Sequence, residues 1–271
     1  MSLSIEGKTA IVTGAASGIG LAIARHFADQ GARVMCADRD EARLVEALGE
    51  MAEDDGPVRI FAGDLSQKLT MTNLLSATID AFDRVDVLVN GSRGIVASDP
   101  LDPDDPAMEA MLQRNLVTSI RLGQLAARRM IAQAKEEEEA ESEGPIGSII
   151  NISTLAARRG QPQLLAYSVA AAGLEQATRS LALALAPHRI RVNAIALGSV
   201  MSASLQAALK DNPDWRDEIV AHTPLGRIAG PGEIVDAAQF LASDGSAFVT
   251  GQVLTVDGGR GLADVVPVPA Y

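Results

Sequence analysis

The chain has 271 residues, 47% of them hydrophobic and only 3% aromatic, and a formal net charge of −12. That apolar content builds a packed core and excludes a disordered chain, and its aliphatic character suits helices packed on a parallel sheet. The acidic balance would be repelled by nucleic acid phosphates and by anionic membranes, so neither nucleic acid nor membrane is expected as a partner.

The N-terminus, MSLSIEGKTA, lacks a basic region followed by a long apolar stretch, and no apolar run is long enough to span a bilayer. A soluble cytoplasmic protein is the expectation. The single cysteine, Cys36, rules out an internal disulfide and, lying in an apolar run, reads as a buried inert thiol.

In chain order, strands are predicted at TAIVT (9–13), RVMCA (33–37), VRIFA (58–62), VDVLVN (85–90), GSIINIS (147–153), RVNAIAL (191–197) and VLTVD (253–257). Amphipathic segments such as GLAIARHFADQG (20–31) and LLAYSVAAAGLEQATRSLALALA (164–186) lie between them. Strand, helix, strand at this spacing predicts one α/β domain over 1–271: a doubly wound sheet of about seven parallel strands, helices on both faces. KEEEEAESEGPIG (135–147) reads as the solvated end of a helix plus a loop, the alternative being an acidic docking site. The tail GLADVVPVPAY (261–271) is either a frayed end or an arm on a neighbouring subunit.

TGAASGIG (13–20) follows the first strand and opens a helix. Gly14 permits the sharp turn, Gly18 lets backbone approach a bound group, and Gly20 lets helix and strand pack. The N–H groups at the helix start, around Ser17, Gly18 and Ile19, then face a pyrophosphate. The second strand ends at Asp38, where a dinucleotide-binding unit places a carboxylate on the ribose hydroxyls. That charge favours NAD over NADP, with Arg39 next door as the counter-argument. Asp64 and Leu65, in GDLS, are placed to meet the adenine. The plain alternative is that Asp38 and Asp64 cap the helices that follow.

These residues resemble the short-chain dehydrogenase/reductase family over about residues 5 to 260. The ordered motifs are TGAASGIG, GDLS, RNL (114–116), INIST (150–154), Tyr167, RVNAI (191–195), GRIAGPGEI (226–234), FLAS (240–243) and TGQVLTVDGG (250–259). The resemblance implies a Rossmann domain, a homodimer or homotetramer, and hydride transfer between nicotinamide and an alcohol or carbonyl. It implies closure over the substrate by the segment 199–225. It also implies that Tyr167 passes the proton and that Asn115 holds a water. Thr154 takes the family's serine position, and Ser153, one residue earlier, should point to the other face. Asn90 and Gly91 fall at the nicotinamide end of the cofactor.

Three positions depart from the family. Its lysine, four residues after the tyrosine, is Ala171, and the chain's four lysines (Lys8, Lys68, Lys135, Lys210) lie elsewhere. A free tyrosine has a pKa near ~10, so losing the lysine's help costs roughly a thousandfold in alcohol oxidation at neutral pH. Asn-Asn-Ala-Gly becomes NGSRG (90–94), and Pro-Gly becomes Leu197-Gly198. Arg93 is either a replacement cation or, as the plainer reading, a solvated loop arginine. Arg158 and Arg159 read as surface charge, the alternative being contact with an anionic substrate. His26, His188 and His222 have no metal-ligand spacing, so no metal is expected, and Trp215 either contacts substrate or anchors the lid.

The expectation is therefore an NAD-dependent oxidoreductase, weakened or adapted at position 171. The alternatives are a cofactor-binding protein without turnover and, further off, different chemistry such as dehalogenation.

Overall fold

The computed structural model describes residues 3–52, 56–136, 144–201 and 203–263. Seven strands form one parallel sheet in the order β3-β2-β1-β4-β5-β6-β7. They are β1 (Thr9–Thr13), β2 (Arg33–Asp38), β3 (Val58–Ala62), β4 (Val87–Asn90), β5 (Gly147–Thr154), β6 (Ile190–Leu197) and β7 (Val253–Val256). Nine helices flank it: α1 (Gly18–Asp29), α2 (Glu41–Leu48), α3 (Lys68–Phe82), α4 (Ala107–Met111), α5 (Thr118–Glu136), α6 (Leu165–Leu185), α7 (Ala203–Asp211), α8 (Trp215–Ala221) and α9 (Gly232–Ala242), counted among the described residues.

Successive strand residues feed opposite faces, as the pleat requires. Ala10 and Val12 of β1 join a core with Ile23 and Phe27 of α1 and Ile234 of α9. Ile11, between them, joins a second core with Leu74 of α3 and Leu122 and Met130 of α5. Both faces are covered, so the strands read as continuous apolar runs rather than as alternating ones.

One predicted boundary moves. VDVLVN was expected to pair from residue 85, but β4 begins at Val87. Val85 N–H instead donates to Gln133 Oε1 at 2.9 Å, and Asp86 turns its carboxylate to accept from Thr9 N–H at 2.8 Å. Side chains thus supplement the backbone bonds that Asp86 makes to Thr9 and Ser148 at the strand's entrance.

Segment 137–143 and most of the proline-bearing tail, 264–271, lie outside the described residues. No helix among the described residues is long and apolar enough to cross a membrane.

Candidate active site

Because all strands run parallel, their C-terminal ends share one edge of the sheet. The chain leaves β1 toward β2 and β3 and returns on the other side for β4, so a crevice opens between the ends of β1 and β4. Two glycine-bearing loops meet there. A Cβ on Gly14, which has φ +73°, would lie 2.8 Å from Gly91 and Ser92 backbone atoms. A Cβ on Gly20 would strike the Gly14 carbonyl, and one on Gly91 would come within 2.6 Å of Thr13 O. Thr13 stitches the two loops together: its hydroxyl oxygen accepts from Gly91 N–H and from Ser92 N–H, each at 3.1 Å.

A groove of about 650 Å³ starts at this crevice and is lined from Gly14 and Gly18 through Asp38 and Asp64 to Arg93. Ser17 stands at the N-cap of α1 without spending its side chain on the cap, and nothing lies within 4 Å of where a Gly18 Cβ would be. The first-turn N–H groups of α1 therefore face open space, which suits an anion. The pyrophosphate of a dinucleotide fits this donor set.

At the far end, Asp38 is held in place by two backbone donors, Ala16 N–H to Oδ2 at 3.2 Å and Asp40 N–H to Oδ1 at 3.1 Å. Asp40, not Asp38, caps α2, accepting from Arg43 N–H at 3.1 Å. The capping alternative for Asp38 thus gives way to a carboxylate aimed at the groove. Asp64 is partly spent locally, accepting from both the N–H and the hydroxyl of Ser66, and these bonds hold its carboxyl below the usual range. Leu65 beside it is buried. Arg39, Arg43 and Arg114 line the same end of the groove, so Asp38 sits among cations that the sequence reading had limited to Arg39. Burial is the main cause holding Arg114 below its ordinary value.

The reacting end is built from β5, α6 and the loop after β4. Tyr167, in the first turn of α6, is 5% exposed and packs on Ala107, Met111 and Ala170. One turn on, Ala171 is 6% exposed and offers only a methyl. Tyr167, Ala171, Thr154, Ser153, Asn90 and Asn115 surround a cavity of about 10 Å³, on the order of a single water.

Arg93 borders both this cavity and the groove. Its Nη1 reaches the Tyr167 hydroxyl oxygen at 3.4 Å and the Ser153 carbonyl at 3.4 Å. The solvated-loop reading of Arg93 is therefore corrected: the residue is half-buried with its charge beside the tyrosine. The loop path causes this, since Thr13 fixes residues 91–92 and Asn115 fixes residue 94. Asn115 Oδ1 accepts from Gly94 N–H at 2.8 Å, and its Nδ2 donates to Gly94 O at 2.9 Å. Its side chain thus anchors the loop, a use that the sequence reading did not anticipate. Asn115 lies in a widened π-helical turn, Leu112–Val117, between α4 and α5. Such turns are frequent at functional sites.

Ser153 and Thr154 both line the cavity but make different hydrogen bonds. Ser153 is turned to α6, its hydroxyl donating to Glu175 Oε1 at 3.3 Å. Glu175 is 4% exposed and is paired with Arg158 at 3.1 Å and Arg179 at 3.7 Å. Thr154 Oγ1 accepts from Ala156 N–H at 3.4 Å and keeps its own proton available. Arg158 is thus spent on Glu175, and Arg159 donates to the carbonyls of Gly261 and Ala263. Both are exposed, as the surface-charge reading has it, and both are also paired. Below them, Asn90 Nδ2 donates to Asn151 Oδ1 and Asn151 Nδ2 to Thr178 Oγ1, each at 2.9 Å, tying β4, β5 and α6 together. Asn151 and Thr178 escaped the sequence reading, although a polar residue mid-strand in β5 was the available signal.

Elsewhere, burial pushes the Cys36 thiol up to about 12, as suits an inert core group. His26 bonds Gln239 at 2.6 Å, away from the site. His188 and His222 are exposed. Trp215 begins α8 in the 199–225 segment and is 51% exposed.

The family described as Enoyl-(Acyl carrier protein) reductase matches residues 14–260. The chain is 35% identical to the 3-oxoacyl-(acyl-carrier-protein) reductase of Chlamydia trachomatis, over 96% of this chain and 99% of that one. It is 31% identical to 2,3-dihydroxy-2,3-dihydro-p-cumate dehydrogenase of Pseudomonas putida, over 95% and 96%. Among solved structures, a 7α-hydroxysteroid dehydrogenase complexed with NADH and 7-oxo glycochenodeoxycholic acid superposes with a TM-score of 0.85 at 30% identity, covering 95% of each chain.

Proposed function

The chain belongs to the short-chain dehydrogenase/reductase family, and on that premise we propose that it is an NAD(H)-dependent oxidoreductase acting on a small alcohol or carbonyl compound. One observation carries this reading: the groove over the α1 N-terminus is lined by Arg93, which also borders the cavity around Tyr167. A cofactor path and a proton donor thereby meet at one point.

In this reading the N–H groups of Gly18, Ile19 and Gly20 hold a pyrophosphate, and Asp38 binds the adenosine ribose. Asp64 and Leu65 border the adenine, and Asn90 and Gly91 border the nicotinamide end. A bound nicotinamide supplies or accepts the hydride. Tyr167 gives its hydroxyl proton to a carbonyl oxygen in reduction, or takes one from an alcohol in oxidation. Thr154 steadies the substrate oxygen, since the Ser153 hydroxyl is committed to Glu175. The Asp38 charge opposes a 2′-phosphate and favours NAD; the arginines at the same end make NADP the weaker alternative. Segment 199–225 closes over the substrate, and the protein works as a homodimer or homotetramer in the cytoplasm.

The test is titration of the purified protein with NADH and, separately, NADPH, followed by nicotinamide fluorescence. Micromolar NADH binding with much weaker NADPH is expected. Binding of neither withdraws the reading.

A second reading, a cofactor-binding protein without turnover, is favoured by the methyl at Ala171 where the family carries its lysine. NADH binding with no oxidation or reduction across a panel of alcohols, aldehydes and ketones would select it.

A further inference from the structure

The face of α6 that carries Tyr167 presents no cation in the two turns beside it, and the first one on it, Arg179, pairs with Glu175. Four residues on is Ala171, and four beyond that is Glu175, a carboxylate. Yet a positive charge does reach the tyrosine, from 74 residues away: Arg93 Nη1 lies 3.4 Å from Tyr167 Oη.

The contact is built rather than incidental. Residues 91 and 92 are held by the Thr13 hydroxyl, and Gly94 by both amide atoms of Asn115. Arg93 sits between these anchors, and its guanidinium has a second acceptor in Ser153 O. A guanidinium has only donors. The phenol oxygen is therefore the acceptor in this pair, and its own proton is free to point at a substrate. The other charged groups around Tyr167 are fewer or already spent. Glu175 is occupied by Ser153, Arg158 and Arg179. Arg114, from the π-helical turn, packs against Gly94. The neighbours from α4 and α6, Ala107, Met111, Ala166 and Ala170, are uncharged.

Resting on the oxidoreductase reading above, we infer that Arg93 is the positioning residue for Tyr167, supplying from the loop after β4 the charge that position 171 lacks. In carbonyl reduction the Tyr167 O–H bond breaks and an O–H bond forms on the substrate oxygen, as hydride from the reduced nicotinamide reaches the carbon. The phenolate left behind faces the guanidinium until a solvent proton restores it. Arginine keeps its proton at every working pH, so it holds charge without relaying protons.

The chain has two tyrosines, Tyr167 and Tyr271, so Tyr271→Phe leaves one reporter. In that background the ultraviolet absorbance of tyrosinate is followed against pH, within the range where melting curves show folded protein. Arg93→Gln moves the transition to higher pH, Arg93→Lys moves it less, and adding Ala171→Lys to Arg93→Gln draws it back. Arg93→Met, which keeps the apolar stem, is the second neutral variant should Arg93→Gln fail to fold. Superimposable curves for the parent and a folded neutral variant overturn the inference. This arm needs no substrate, so it stands apart from the functional reading, which fails instead if the parent binds NADH and turns over nothing. Where a substrate is found, Arg93→Gln lowers kcat by about 10- to 100-fold with a smaller change in KM. The Arg93→Gln/Ala171→Lys pair recovers most of that loss, a rescue that a merely structural arginine would not allow.

Discussion

Thr13 Oγ1 accepts hydrogen bonds from the backbone N–H groups of both Gly91 and Ser92, each at 3.1 Å, across the point where the strand order reverses. One buried hydroxyl at the end of β1 thereby sets the position of the loop after β4, and with it the charge beside Tyr167. Thr13→Val keeps the shape and removes the acceptor. The expected cost is about 1–3 kcal/mol in stability, together with a loss of activity that Thr13→Ser does not show. Denaturant unfolding and steady-state kinetics of the two variants make the comparison.

Gly14→Ala tests the crevice itself. The residue has φ +73°, and a Cβ there meets the Gly91 and Ser92 backbone at 2.8 Å, where no flexible side chain can give way. Strain of about 1–3 kcal/mol is expected, with a fall in Tm of roughly 3–10 °C. NADH affinity should drop at least tenfold, since the two loops must separate. Calorimetric titration beside a thermal melt reads both.

Asp38 is the carboxylate at the adenosine end, fixed by Ala16 and Asp40 N–H groups and surrounded by Arg39, Arg43 and Arg114. Removing its charge leaves only Asp40, which pairs with Arg43, and Asp64 to oppose those cations in the groove. Asp38→Asn should shift the ratio of NADH to NADPH affinity toward NADPH by about tenfold or more. An unchanged ratio would remove Asp38 from cofactor selection.

Ala171→Lys returns a lysine to the helix face beneath Tyr167. Alcohol oxidation at neutral pH should rise, with a ceiling of roughly a thousandfold. Arg93 already lies beside the hydroxyl, so the gain should fall short of that ceiling. An unchanged rate with cofactor still bound would count against the role given to position 171.

The Cys36 thiol is raised by burial from 9.0 to about 12. Below pH 9 the folded and unfolded chains both keep this proton, and the thiol adds no pH dependence. Between 9 and 12 only the folded chain keeps it, so stability falls as pH rises through that window. Cys36→Ala should flatten this part of the stability curve, at a small packing cost, in denaturant unfolding from pH 8 to 11. A thiol reagent should label the wild-type protein only as fast as the protein opens.

Much of the fold was legible because its constraints are local. Each of the seven predicted strands appears within two residues of its observed bounds. Buried parallel strands need unbroken β-branched and apolar runs, and such runs are visible without any partner. The glycines at 14, 18 and 20 were equally readable, because a turn, an open approach and a tight crossing each demand a missing side chain.

The pairing across the site was not legible, since it depends on where loops travel. Arg93 stayed open between solvent and the site, since a loop arginine has no periodicity to give it a direction. Glu175 and Arg158 meet over α6 and the end of β5, and the Asn90–Asn151–Thr178 chain joins three elements. None of these contacts has a signature within one segment. What the sequence by itself determined was a parallel sheet with a glycine crevice at its switch point, a carboxylate at the end of β2 and a tyrosine without its lysine. Only the tertiary structure decided that a guanidinium 74 residues away comes to rest beside that tyrosine. The physical reason is that Thr13 and Asn115 hold the loop on either side of Arg93 and bring its guanidinium within reach of Tyr167 and the Ser153 carbonyl.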